Sequence, residues 1–79
     1  MDRFSKKIAV GDHMQLFEFT RMQNINGIKF FVTSKGIEGK LFSFSLTEKE
    51  SHIWKLNPGS TRWLYDIESE LSDAIEELH

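Results

Sequence analysis

Three histidines, twelve Asp and Glu residues and a scatter of hydroxyls are the side chains of this sequence equipped for chemistry. Their spacing assembles no reactive centre. His13, His52 and His79 match neither an HExxH motif nor an i/i+4 pair. Glu50 beside His52 makes two metal ligands at most, where a zinc site needs three or four that converge. The histidines therefore read as solvated, and neither a metal nor a cofactor is expected. "SKGIEGK" (34–40) holds two glycines and two lysines but lacks the GxxxxGK[ST] spacing of a phosphate loop. Ser43 and Ser45 have no histidine partner in the pattern. The carboxylates between Asp66 and Glu77 fall on a polar helix face, whereas general acid–base chemistry needs a carboxylate in a pocket. They read as solvated, and the chain is not expected to be an enzyme.

What remains is the chemistry of contact, and "GIKFFVTSKG" (27–36) concentrates it. In a β-strand adjacent side chains point to opposite faces, so Phe30 and Phe31 cannot share one core. The strands around them set the two faces. "KLFSFSLT" alternates Phe42, Phe44 and Leu46 with hydroxyls, and "MQLFEFTRM" puts Phe17 and Phe19 on one side. "HIWKL" sets Trp54 and Leu56 opposite Ile53 and Lys55. Asn26-Gly27 signals a tight hairpin, Gly36 and Gly39 mark a loop, and "EKES" reads as a polar break. Strands are expected near 14–22, 28–35, 40–47 and 52–56. "FSKKIAV" alternates as well, and Gly11-Asp12 can turn it back, so residues 1–12 are a further edge strand or a frayed terminus.

After Pro58-Gly59 the period changes. Leu64, Ile67, Leu71, Ala74, Ile75 and Leu78 recur at three and four, predicting an amphipathic helix over 61–78 with Ser60 or Thr61 at its cap. Trp63 can join the apolar stripe and Tyr65 falls at its rim. The expected fold is α+β in one domain, residues 1–79: an antiparallel meander sheet of four to five strands with one C-terminal helix packed on one face.

Phe17, Phe19, Ile28, Phe30, Val32, Phe42, Phe44, Leu46, Trp54 and Leu56 form the expected core face. The reverse face then carries Met14, Leu16, Phe31, Leu41 and Ile53 among Lys29, Lys35, Lys55, Thr33, Ser43 and Ser45. A helix about 10–12 Å wide cannot cover both sides of a sheet roughly 15–19 Å across. The reverse face is then open, or the sheet and the N-terminal segment curl over it and bury Phe31 against Leu16, Leu41, Phe4 or Ile8, or another molecule covers it. Phe31, Leu16, Leu41 and Ile53 are the candidate apolar contacts, with Lys29 and Lys55 as a charged rim. Small size and the absence of cysteine favour a partner chain, so a homodimer through this face or an exposed edge is the expected role. The alternative is single-stranded nucleic acid, whose bases stack on exposed rings while lysines neutralise phosphates.

"LFEFTRM", "IKFFVTS" and "LFSFSLT" followed by "WLYDIESELSDAIEEL" resemble, in order and pattern, one repeat of the Pur-alpha family and, loosely, the PC4-type transcriptional coactivators. That resemblance implies a curved sheet, dimerisation and single-stranded nucleic-acid binding; it places no basic or aromatic signature on particular residues. Charge is uneven. Residues 1–59 carry nine Lys/Arg and six Asp/Glu, while residues 60–79 carry one arginine and six acids. No apolar run has the length of a signal-peptide core or a membrane span, so the expected setting is cytoplasmic and away from the membrane.

Overall fold

A computed structural model describes the chain except Met1, Ile37 and His79, with the side chain of Asn24 also outside the description. Five antiparallel strands form one sheet in sequence order: β1 (Arg3–Val10), β2 (His13–Asn24), β3 (Gly27–Lys35), β4 (Leu41–Glu50) and β5 (Ile53–Leu56). A 3-10 segment (Arg62–Ile67) leads into helix α1 (Glu68–Leu78). The sheet curls into a half-barrel with the helix in its concavity, the α+β architecture the alternation and the later change of period imply.

The register explains the burial. Phe19 faces Val32, Val32 faces Phe44, and Phe30 faces Leu46, which in turn faces Leu56. These side chains share the concave face with the helical Leu71, Ala74 and Ile75, and all are buried. Every residue of the expected core face lies there, with Ile28 and Phe42 packed at its margin. Ring contacts tie the layer together: Phe30 meets Trp54 edge-on at 5.1 Å between centroids, and Phe42 meets Trp63 at 5.6 Å. Such pairs add about 0.5–1.5 kcal/mol each beyond area burial.

The N-terminal segment is a full edge strand whose Phe4 stacks on Phe19 at 4.6 Å, while Ile8 is buried in the core. Phe4 and Ile8 thus serve the concave face and leave the reverse face uncovered. Gly11 adopts φ +62°, the conformation a type II′ hairpin reserves for glycine at its first central position. In the next hairpin the turn residues are Ile25 and Asn26, and the positive φ falls on Gly27 alone (+120°). "EKES" is not a break throughout: β4 runs on to Glu50 across an irregularity between Glu48 and Glu50. A bulge admits the polar residues without ending the ladder. The expected helix begins instead as a 3-10 segment. Leu64 and Ile67 are three residues apart, so a three-residue turn buries both. Thr61 stands at the cap position without a side-chain bond to the helix.

Candidate interaction face

The convex side of the sheet is read from the cross-strand pairs. One row runs Arg3, Thr20, Phe31, Ser45; the next runs Ser5, Glu18, Thr33, Ser43; another runs Met22, Lys29, Thr47, Lys55. Phe31 is 38 % exposed, with hydroxyl side chains directly across from it on both sides and Met22 on the diagonal. Lys29 stands two residues along the same strand, and Lys55 joins it across Thr47. Phe31, Lys29 and Lys55 are therefore brought together.

Ile53 adjoins Lys55, two residues along the same face of β5, whereas the two leucines are set apart. Leu41 pairs with Lys35, one position beyond Ser34, which faces Phe17; Lys35 thereby separates Leu41 from Leu16. Both leucines lie about four residues, or roughly 13 Å, along the strands from the Phe31 row. Ile53 is 40 % exposed, paired with Glu50 beyond the β4 irregularity. The exposed apolar side chains thus fall in small groups, Met14 with Leu16 and Met22 with Phe31, separated by lysines and hydroxyls.

Charge is more orderly than apolarity here. Arg3, Lys7, Lys29, Lys35 and Lys55 occupy the convex face, against two acidic strand residues of the same orientation, Glu18 and, past the β4 irregularity, Glu50. Arg3 lies 3.9 Å from Glu18, and Lys55 lies 3.6 Å from Glu68. Lys7, Lys29 and Lys35 form no ion pair among the described residues. A pair as exposed as Arg3 with Glu18 contributes at most about 1 kcal/mol and yields readily to another anion, whereas the Glu68 carboxylate is more sheltered and also holds the Leu56 amide.

The helical carboxylates read from sequence as solvated are in part structural, because the helix lies against the edge strand β5. The Trp54 amide donates to Ser72 Oγ at 3.0 Å, and the Leu56 amide donates to Glu68 Oε2 at 2.8 Å. Trp54 Nε1 donates to Glu76 Oε2 at 2.7 Å, while Glu76 Oε1 accepts from His52 Nδ1 at 2.7 Å. Glu68, Ser72 and Glu76 stand at four-residue spacing, so they form one row beside the apolar stripe. His52, expected to be solvated, is instead held by Glu76, and its amide donates to Glu48 Oε2 at 3.0 Å. That turn sets it at φ +68°.

His13 is engaged too. Its Nε2 meets Gln15 Oε1 at 3.2 Å, Gln15 Nε2 donates to Ser34 Oγ at 2.8 Å, and Ser34 Oγ donates to the Leu16 carbonyl at 2.7 Å. Gln15 and Ser34 are buried, and this chain satisfies both. The expectation for His79 lies outside the described residues. Among the described residues no group of three or more His, Asp or Glu side chains is placed to hold a metal ion, and no helix is long and apolar enough to cross a membrane. No protein-family model, curated protein or solved structure matches the chain.

Proposed function

We propose that the protein is a small non-catalytic interaction module that binds single-stranded nucleic acid on the convex face of its sheet. The observation that carries this is the composition of that face: five basic side chains against two acids, Glu18 and the edge-placed Glu50, with a partly exposed phenylalanine bordered by Thr20, Thr33, Ser43 and Ser45. Phosphates are matched by the lysines, a base by the ring, and sugar or phosphate oxygens by the hydroxyls. Apart from Glu68, which reaches Lys55 at the β5 edge, the acids of α1 lie away from this face, which gives a polyanion one side to approach. The strand and helix order resembling the Pur-alpha family agrees with this reading. A non-catalytic role agrees with His52, Glu68, Ser72 and Glu76 being occupied in holding the edge strand. Self-association through the same face draws less support, since its apolar residues form only small groups divided by charged and hydroxyl positions.

Titration of a labelled single-stranded oligonucleotide at 50 and 200 mM salt tests the proposal. With three to five phosphates neutralised and a slope near −0.7 per contact, affinity falls about 20- to 100-fold across that range. Phe31→Ser removes one stacking contact, worth about 1–3 kcal/mol, and weakens binding roughly 5- to 150-fold at either salt concentration. Absent binding, or binding indifferent to salt and to Phe31, overturns the assignment.

A further inference from the structure

The two edges of the sheet are finished differently. In β5 the outward-facing amides, Trp54 and Leu56, are both taken by side chains of α1. In β1 the outward groups follow from the hairpin phase: the Arg21 amide bonds the Asp2 carbonyl, and the ladder continues without a register shift to Val10 and His13. Even-numbered residues of β1 thus exchange hydrogen bonds with β2, and Arg3, Ser5, Lys7 and Ala9 aim their backbone groups outward. None of these four amides meets a side-chain acceptor among the described residues. An open strand of eight residues is a template for another strand.

β1 is "RFSKKIAV", basic and free of acids. Beside it runs a groove of about 270 Å3 whose far wall is the acidic flank of α1: Glu70, Asp73 and Glu77, with Lys6 3.6 Å from Glu77. A strand entering this groove must present basic or apolar side chains toward the helix. β1 itself has them, as Phe4, Lys6 and Ile8 all point to that side.

We infer that β1 pairs antiparallel with β1 of a second copy, about a two-fold axis at Lys6, and joins the two sheets into one. Three symmetric registers engage at least three of the four outward-facing residues. Centring on Ser5 sets Arg3 against Lys7 of the other copy, and centring on Lys7 sets that lysine against itself. Centring on Lys6 sets Arg3 against Ala9, Phe4 against Ile8 and Ser5 against Lys7. This register has no like charges opposed on the convex face and gains an apolar pair on the concave one. Its single directly opposed like-charge pair, Lys6 with its own copy, falls between the two Glu77 carboxylates, while Lys7 meets Arg3 and Lys7 of the other copy only on the diagonal.

The chain has no cysteine, so single-cysteine variants report the register cleanly. Residues at the axis form a non-hydrogen-bonded pair with Cα atoms about 4.5 Å apart, within disulfide reach. Lys6→Cys is expected to give a covalent dimer on mild oxidation. Ser5→Cys and Lys7→Cys, each two positions from its own copy, stay uncrosslinked. Light scattering on the wild type should report a dimer without nucleic acid, and Ser5→Pro, which removes an amide the monomer does not use, should give a folded monomer. A wild-type monomer across a concentration series overturns the inference. So does a dimer that crosslinks through position 5 or 7 in place of 6, or through none of the three. If Ser5→Pro does not fold, the cysteine series decides by itself.

Discussion

Ser72→Ala isolates the attachment of the helix to the sheet edge. Ser72 is 8 % exposed, and its Oγ is the acceptor for the Trp54 amide at 3.0 Å. Alanine leaves that amide buried beneath the helix without an acceptor, at a cost of about 1–3 kcal/mol. The better helix propensity of alanine returns roughly 0.5 kcal/mol. The net loss is about 1–2 kcal/mol, or a Tm lower by roughly 5–15 °C for a domain of this size. Ser69→Ala is the matched control. It lies three residues earlier on the same helix, is exposed, and bonds only the neighbouring Glu70 side chain at 3.1 Å. Calorimetric or circular-dichroism melts of the two variants should therefore separate by more than the error of either. Equal Tm values would mean that water or a shifted backbone satisfies the Trp54 amide, and that the row Glu68, Ser72, Glu76 does not hold the edge.

Phe30→Ala should cost about 3–5 kcal/mol in chemical denaturation, because the ring is fully buried between Leu46 and Trp54. Phe31→Ser, one residue along, should cost less than about 1 kcal/mol, since the ring is not part of the core cluster. A comparable loss at both positions would show that the convex face is buried in solution. Gly11→Ala meets no atom within 4 Å of the added Cβ, so the φ of +62° alone sets its penalty, about 1–2 kcal/mol. A neutral result in the same denaturation assay would mean that the hairpin has another turn geometry.

The period-two runs made the layer legible before any coordinates. Phe17, Phe19, Phe42, Phe44 and Leu46 could share one face only by alternating with Glu18, Ser43 and Ser45, and they do. What the pattern could not supply was depth and phase between elements. Phe31, Leu16 and Leu41 looked like one apolar group because strand identity was visible while register was not. Once Lys35 is paired with Leu41, the group divides. Glu68 and Glu76 looked solvated because a helical polar stripe shows nothing of what lies beside it. A signal was nonetheless present. A four-residue edge strand must find acceptors for its outward amides, and Glu68, Ser72 and Glu76 are polar residues in a straight row next to the apolar stripe. The 3-10 start was hidden because spacings of three satisfy both helix types.

The treatment of the two edges also bears on the convex face. Because α1 saturates the amides of β5, the sheet can be extended by a further strand only at β1. Extension there leaves Phe31, Lys29 and Lys55 untouched, two strands or more from the seam. Two copies joined through β1 would present their convex faces as one surface, with Arg3 and Lys7 of each copy at its middle. Those residues oppose Ala9 and Ser5 in the Lys6-centred register, so the seam adds positive charge without setting like charges directly opposite one another. A long oligonucleotide that spans both copies then binds with an effective concentration that a short one cannot use. Ser5→Pro should accordingly weaken a long strand far more than a short one, whereas Phe31→Ser should weaken both. If Ser5→Pro abolishes the dimer yet leaves the length dependence unchanged, the two faces do not act as one surface, and dimerisation serves stability alone.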